Sequence, residues 1–373
     1  MVNVGIDTMY IICPISKSEF SKLKVHLNEA LGEKFHPERK HKQDSEKQSK
    51  DKYLKNTFIT YAYAKQGFRK IRLRKVERKG YTGYFLEIQF HPKLLLESGN
   101  YVHLLFPNEF GLIEDRFNYY MSELSFPLFN EWNIMRIDVA WDITVQQDMI
   151  INYMLLFKKS NISDFFLSTE KTQKYFPETN SFYLYSKEIT INFYDRYTTL
   201  LEKEQKERKE FSNIEAGKNT LRLEVQYRKI SGKLSEHLNE QFIRFLVSSW
   251  YYKIVGPGDY YKKKRCSELI CKGVRSNKKR LRLLRLLDLI EHKGSIFEAK
   301  AFFICKVLNA NEAELKKSMN RESDRKKMIE KAGKEFSKQL NEIRTLGINP
   351  VMLPEDFPAE RVDNLIDNKM TVF

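Results

Sequence analysis

The sequence predicts an α+β protein, with an antiparallel sheet and its helices in residues 1–232 and a helical, basic region in residues 233–373. Two observations predict this class. Several segments before residue 232 alternate strictly between apolar and polar residues, which is the pattern of strands with one buried face. After residue 234, apolar residues recur at helical spacing instead. A chain of 373 residues is long enough for two or three domains.

In chain order, the first part begins with a strand, an amphipathic helix and a charged insertion that is nearly free of aliphatic residues. That composition predicts a loop or a disordered insertion at about 33–55. A further strand and a hairpin follow, with Gly80 and Gly83 between the paired strands. The predicted elements are strand 1–14, helix 16–31, strand 58–64 and hairpin strands 68–74 and 84–90.

The chain continues with helices, a second hairpin and two more alternating strands. The two strand–hairpin blocks before residue 232 suggest a duplicated half. A break at Gly256-Pro257-Gly258 separates the first long helix of the C-terminal part from the rest. The predicted elements are helix 109–130, strand 136–143, helix 146–160, hairpin 182–193, helix 201–211, strand 221–228 and helices 234–254, 280–292, 295–307 and 322–346.

The strands at 136–143, 190–196 and 221–228 carry unusual polar faces. In each strand, one face is apolar and the other holds acids, arginines or a tyrosine. If the strands share a sheet, Asp138 and Glu224 could hold a hard divalent cation, and Tyr194 could attack phosphorus. The alternative is an ordinary solvated sheet face with unremarkable charges. Further candidates on such faces are Glu87, Asp142 and Arg196, and Tyr197 is a second candidate nucleophile.

The charge balance favours a polyanionic partner. Lysine and arginine number 65 against 49 acids, which gives a net charge of +16. Phosphate neutralisation by such residues releases counterions and favours nucleic-acid binding. The alternative is that the basic helices near 262–285 form a solvated face. The candidate DNA-binding residues are Lys262, Lys263, Lys264, Arg265, Lys278, Lys279, Arg280 and Arg282.

Other classes of protein find no support in the sequence. The four cysteines lack CxxC spacing, which argues against a zinc site and a disulfide framework and favours a reducing cytoplasm. No signal peptide and no long apolar run is present, so no membrane span is expected. The motifs of P-loop nucleotide hydrolases and GxSxG hydrolases are also absent from the sequence, and no paired histidines form a nicking-enzyme metal site.

These segments together resemble the filamentous-phage gene II type of replication protein and related phage and plasmid rolling-circle initiators. The resemblance covers roughly residues 80–230, and a looser match lies near the C-terminus. It rests, in order, on Phe85-Leu-Glu-Ile-Gln-Phe-His-Pro-Lys93, Arg136-Ile-Asp138, Asn192-Phe-Tyr-Asp-Arg-Tyr197, Leu221-Arg-Leu-Glu224 and Leu346-Gly-Ile-Asn-Pro350. The insertion at about 33–55 and the lysine-rich helices do not match, so origin recognition cannot be transferred.

The resemblance implies an antiparallel-sheet nicking domain, a divergent relative of the HUH-type replication initiator folds. It implies an origin-specific endonuclease that nicks and rejoins DNA through a 5′-phosphotyrosyl intermediate and a free 3′-OH. Tyr194 matches the nucleophile, and Asp138, Glu224 and Glu87 match acidic positions for Mg²⁺ or Mn²⁺. The implied partners are double- and single-stranded origin DNA, a host helicase and a DNA polymerase in a bacterial cytoplasm.

Two rival hypotheses stay open. A non-enzymatic DNA-binding protein would use the same surfaces only to bind phosphate. A tyrosine recombinase would need arginines and histidine clustered around the tyrosine and would leave a 3′ link, which the acidic strands disfavour. A homo-oligomer is one option for the assembly of the chain.

Overall fold

The computed structural model describes residues 3–39, 53–161, 181–207, 213–311 and 321–365. It confirms the predicted α+β class. Contacts divide the chain into a sheet unit, Met1–Gln147 with Tyr183–Val247, and a helical unit, Asp148–Phe182 with Ser248–Phe373. The assignment of a catalytic domain to residues 1–232 and a DNA-binding domain to residues 233–373 stays a prediction.

The sheet unit contains one nine-stranded sheet with the order β2-β3-β4-β5-β1-β6-β9-β8-β7. Strands β6, β9 and β8 are neighbours, which confirms that the three segments with polar faces share one sheet. The strands are β1 (Asn3–Ile15), β2 (Phe35–Arg39), β3 (Tyr53–Thr60), β4 (Lys70–Arg78), β5 (Tyr81–Phe90), β6 (Asn133–Thr144), β7 (Ser181–Tyr185), β8 (Ile189–Asp195) and β9 (Thr220–Tyr227).

Ten α-helices are present in the described part of the chain. The first helix shows how local sequence sets a boundary: Ser16 caps it, and Glu19 bonds back to the Ser16 backbone in a capping box. The helices are α1 (Lys17–Leu31), α2 (Pro92–Leu96), α3 (Phe110–Glu123), α4 (Gln147–Lys158), α5 (Arg196–Glu207), α6 (Glu240–Ile254), α7 (Lys263–Gly273), α8 (Asn277–Lys293), α9 (Ile296–Ala310) and α10 (Arg321–Arg344).

One face of the sheet forms the apolar core of the sheet unit. Strand alternation sends Ile88, Val139 and Leu223 to this face, and all three are fully buried. The buried side of α1 adds Phe20, whose ring lies 5.1 Å from that of Tyr84. The opposite face of the sheet is polar and carries the candidate site.

The helical unit is built from amphipathic helices. The side chains of Leu283, Leu287 and Ile290 lie on one face of α8 and are buried. Phe303 of α9 packs against Phe336 of α10, with ring centroids 5.6 Å apart. None of the helices in the described ranges combines the length and apolar character needed to cross a membrane.

The structure corrects several predicted boundaries. The prediction of an insertion at 33–55 was wrong at its ends, because β2 and the start of β3 are strands there; residues 40–52 lie outside the described residues. The polar strand β2 is tolerated because Glu38 pairs with Lys70 and Arg72 of β4. The basic helices expected near 262–285 are α7 and α8, and the charged helix predicted at 201–211 already begins at Arg196.

The close approach of residues 104–105 to β1 explains the glycine at position 5. The amides of Ile6 and Leu105 each donate to the other residue's carbonyl oxygen at 2.9 Å. A β-carbon at Gly5 would lie 2.6 Å from the Leu105 carbonyl oxygen and 2.7 Å from Leu104 Cβ. Only glycine therefore lets this segment lie against β1.

We expect Gly5→Ala to lower the free energy of unfolding by about 1–3 kcal/mol, because the backbone of residues 104–105 must move. Chemical denaturation measures this change. The control is Gly111→Ala on α3, where a β-carbon meets nothing within 4 Å. This control should leave stability unchanged or raise it by up to about 1 kcal/mol. Equal stability of both variants would show that the crossing does not constrain Gly5.

Candidate functional site

The polar face of β6, β9 and β8 brings the candidate residues into register. Glu224 on β9 lies directly opposite Ala140 on β6 and Asn192 on β8, and Arg222 lies opposite Tyr194. Directly opposed residues share a face, and their diagonal neighbours lie about 7 Å apart. Asp138, opposite Gln226, is such a diagonal neighbour of Glu224.

A β-bulge adds a further carboxylate to this face. The pairing of β1 with β6 shifts between Ile6 and Thr8, so that Asp7 is the extra residue. Bulges redirect side chains in this way. The Asp7 carboxylate accepts from Thr8 Oγ1 at 2.9 Å and lies 3.7 Å from His91 Nε2.

Tyr194 and Glu224 form the central pair. The Tyr194 hydroxyl donates to Glu224 Oε2 at 3.0 Å, and Gln226 Nε2 donates to Glu224 Oε1 at 3.0 Å. The Tyr194 side chain is only 5% exposed. Burial and the charge of Glu224 raise the pKa of Tyr194, while burial and Asp7 raise the pKa of Glu224. Glu224 is therefore positioned to accept the phenol proton.

Asp138 is buried and carries a strongly perturbed carboxyl group. Both of its oxygens bind the Arg136 guanidinium, with Arg136 Nε at 2.7 Å from Oδ1. Burial outweighs these bonds, and with the nearby charge of Glu224 it raises the pKa of Asp138 to about 7. A perturbed carboxyl in such a setting is a candidate for function. The expectation of an ordinary solvated face does not hold at this residue, which is 1% exposed.

Arg222 is the structural centre of the face and is fully buried. Its Nε and one terminal nitrogen bind Asp142 at 2.5 and 2.7 Å, and the other terminal nitrogen lies 3.2 Å from Asp7. It also donates to the Val102 carbonyl oxygen at 2.9 Å. Its donors are thus committed to the protein.

Arg196, the second predicted catalytic residue, begins α5. Its guanidinium donates to the carbonyl oxygens of Tyr101 and Val102 rather than to Tyr194. Its charge nevertheless lowers the pKa of Tyr194 against the larger effect of burial. Tyr197, one residue further, donates to Glu215 at 3.2 Å in an exposed setting. The structure therefore places Tyr194, and not Tyr197, beside Glu224.

Glu87 does not lie with the other two predicted metal positions. It pairs with Ile12 of β1, whereas Asp138 pairs with Thr8. Two strand spacings and four residues along the strand separate their α-carbons by about 16 Å. Glu87 instead contacts Tyr10, Arg72 and Arg74.

The oxygen atoms available to a cation lie around Asp138 and Glu224. In the described ranges, no group of three or more histidine, cysteine, aspartate or glutamate side chains is arranged to hold a metal ion. One further acceptor is available, because Asn192 Oδ1 is buried and lacks a hydrogen-bond partner within the described chain. It belongs to the residue directly opposite Glu224.

The predicted DNA-binding residues lie on and beside α7 and α8 of the helical unit. Several of them pair with acids: Lys263 with Asp288 and Glu291, and Arg282 with Glu335 and Glu342. The remaining ion pairs in this group are Lys262–Glu360, Arg265–Glu268 and Lys279–Glu342. Arg280 donates to the Val274 carbonyl oxygen, and Lys264 is exposed near the start of α7.

Sequence reasoning missed Asp7 and the ion pair between Arg222 and Asp142. A signal for Asp7 was available, because Ile6-Asp7 repeats the Ile137-Asp138 pair of β6. No protein-family model matches the chain, and no curated protein matches it significantly.

We expect Arg222→Met to lower the free energy of unfolding by about 3–5 kcal/mol, because it leaves Asp7 and Asp142 without their buried partner. Chemical denaturation of the full chain checks this. Arg78→Met, on an exposed part of β4, is the matched control and should change stability by less than about 0.5 kcal/mol. A cost below about 1 kcal/mol at Arg222 would contradict its structural role.

Stability should also depend on His91. Burial lowers the pKa of His91 to about 4 from an ordinary 6.5. Between pH 6.5 and pH 4, His91 is protonated in the unfolded chain but neutral in the folded chain. The free energy of unfolding therefore falls as the pH drops from 6.5 to 4, by about 3 kcal/mol at most. Thermal melts of wild type and His91→Gln across this range should show a smaller loss in the variant. Parallel curves would contradict a His91 that is neutral in the folded chain.

Proposed function

We propose that this protein is a rolling-circle replication initiator that nicks and rejoins origin DNA by tyrosine transesterification. The observation that carries the proposal is the hydrogen bond of 3.0 Å from Tyr194 to Glu224. It pairs a potential nucleophile with a base, which is the arrangement that activates weak hydroxyl nucleophiles. The sequence resemblance to gene II type initiators points to the same tyrosine.

The proposed reaction uses the phenol as attacking group. As the Tyr194 oxygen bonds to phosphorus, its proton passes to Glu224 and the bond from phosphorus to the 3′ oxygen breaks. The 3′ oxygen takes up a proton and becomes the free 3′-OH that a host polymerase can extend. The 5′ end stays on Tyr194, and the reverse reaction rejoins the strand.

The donor atoms at the site fit a hard divalent cation. Asp138, Glu224 and the unpartnered Asn192 Oδ1 would hold Mg²⁺ or Mn²⁺, both of which prefer oxygen ligands. When bound, the cation would supply Lewis-acid stabilisation of the charge on the phosphate. Arg136 would have to release Asp138 for this, and Glu87 belongs to a different part of the sheet.

Several wider features belong to the same proposal. The sheet unit would be a divergent relative of the HUH-type initiator folds in which carboxylates replace the histidines of the metal site, and its large antiparallel sheet supports this. Binding of origin DNA would fall to the basic residues of α7 and α8, with Lys264 and Lys278 exposed there. A host helicase and a DNA polymerase would act on the exposed strands.

The burial of Tyr194 favours one rival function. At 5% exposure the hydroxyl needs a local opening before a phosphate can reach it. If the site does not open, the protein is a DNA-binding protein without catalysis. Losing the tyrosine hydroxyl would then leave its function intact.

Incubation of the purified full chain with supercoiled DNA of its own replicon, with Mg²⁺ or Mn²⁺, tests the proposal. We expect nicked circles and a protein-linked 5′ end. Tyr194→Phe should abolish both, and Glu224→Gln should slow nicking by about 10²–10⁴-fold. EDTA should also stop the reaction.

Tyr197→Phe is the matched control, because Tyr197 lies three residues from Tyr194 but bonds to the exposed Glu215. It should nick at the wild-type rate. DNA binding without nicking by the wild-type protein would establish the non-enzymatic rival.

A further inference from the structure

The sheet unit repeats one sequence pattern in its two halves. Leu86-Glu87-Ile88-Gln89-Phe90 of β5 corresponds to Leu223-Glu224-Val225-Gln226-Tyr227 of β9, with the glutamate at the same place. Ile6-Asp7 of β1 corresponds to Ile137-Asp138 of β6. Both strands that carry the first pattern present their glutamate to the polar face.

The strand order repeats in the same way. The order β4-β5-β1 on one side of the sheet centre matches β8-β9-β6 on the other. Strands β1 and β6 are antiparallel neighbours, and Asp7 and Asp138 lie side by side where they meet. The pairing registers differ, because Glu87 lies opposite Ile12, five residues after Asp7, whereas Glu224 lies opposite Ala140, two residues after Asp138. Glu87 is therefore the counterpart of Glu224 in sequence pattern and strand order.

The counterpart glutamate also binds a tyrosine. The Tyr10 hydroxyl donates to Glu87 Oε2 at 2.6 Å, as Tyr194 does to Glu224. Tyr10 lies on β1, whereas Tyr194 lies on β8. On β4, the strand that corresponds to β8, Arg74 lies opposite Phe85, which is the position that Tyr194 has opposite Arg222. Tyr10 is half-buried and is therefore nearer to solvent than Tyr194.

Two guanidinium groups surround this second pair. Arg72 donates to the Tyr10 hydroxyl and to Glu87 at 3.1 Å each, and Arg74 pairs with Glu87. The Nε atoms of Arg72 and Arg74 are buried and have no hydrogen-bond partner within the described chain. The second terminal nitrogen of Arg72 binds Glu38 at 2.6 Å, so both terminal nitrogens of Arg72 are committed to the protein. The side chain of Arg74 is 33% exposed, so its outer end can meet a ligand. Guanidinium groups bind phosphate oxygens by paired, charge-assisted hydrogen bonds.

The geometry points to a second phosphodiester-attacking tyrosine: Tyr10, with Glu87 as its base, Arg74 as the phosphate-binding group and Arg72 as the residue that positions the tyrosine and the glutamate. The Tyr10 oxygen bonds to phosphorus while its proton passes to Glu87. The bond to the leaving oxygen breaks, and that oxygen takes up the proton or leaves as an anion. The arginines supply the positive charge here, so this step needs no divalent cation.

The test separates Tyr10 from Tyr194 and from any origin sequence. The full-length Tyr194→Phe protein is incubated in EDTA with the p-nitrophenyl ester of thymidine 5′-monophosphate. Attack releases p-nitrophenolate and leaves thymidine 5′-phosphate on the protein. We expect mass spectrometry to locate this group on Tyr10, and we expect Tyr10→Phe to remove it.

Matched variants distinguish a built site from general tyrosine reactivity. Glu87→Gln should slow labelling by about 10²-fold or more, because the base is lost. Arg74→Gln should raise the ester concentration needed for half-maximal labelling. Tyr81 is 54% exposed and serves as the internal control, since it should carry no label. Unfolding midpoints close to that of the parent show that the variants fold.

Three results would overturn the proposal. Absence of label on Tyr10 in the Tyr194→Phe protein would exclude it as a nucleophile. Equal labelling of Tyr81 would show that the ester labels any exposed tyrosine and that Tyr10 has no special reactivity. Full labelling in Glu87→Gln would show that the glutamate is not its base. Nicking of origin DNA by Tyr194 is measured separately. If it fails, the labelling experiment still decides whether Tyr10 is a nucleophile.

Discussion

The buried charge of Arg222 constrains the whole polar face of the sheet. A guanidinium without solvent is costly unless its donors are paired, and here the partners come from separate segments. Asp142 lies on β6, Asp7 lies in the bulge of β1, and the Val102 carbonyl lies in the segment after α2. All three partners must be in place together. Arg222 on β9 therefore fixes the strand register at this point and the position of the segment around Val102 over the polar face.

With Arg222 satisfied, the other acids on this face are left in unlike situations. Asp142 and Asp7 serve the buried arginine, whereas Asp138 has a pKa raised to about 7 despite its contact with Arg136. Carboxylates whose charge is poorly compensated attract a proton or a cation. The face thus has one part centred on the ion pairs of Arg222 and another, centred on Glu224 and Asp138, in which the carboxyl pKa values are raised.

The two halves of the sheet share a strand order but differ in pairing register and in charge. Around Glu224 the polar face carries Tyr194 and Asn192, and around Glu87 it carries Arg72 and Arg74. The first setting favours a cation, and the second already contains its positive charge. The helical unit differs from both. Ion pairs such as Lys263–Asp288 and Arg282–Glu342 neutralise part of its positive charge, so its positive potential is weaker than the number of its basic residues suggests.

The sequence by itself determined the α+β class, the alternating strands and the face on which Asp138, Glu224 and Tyr194 lie, because alternation follows directly from strand geometry. Only the tertiary structure decided which strands are neighbours. That choice joined Tyr194 to Glu224, placed Glu87 in the other half of the sheet, and brought Asp7 in through a bulge. It also buried Arg222. Pairing register and bulges arise from contacts between distant segments, which periodicity within a single strand does not encode.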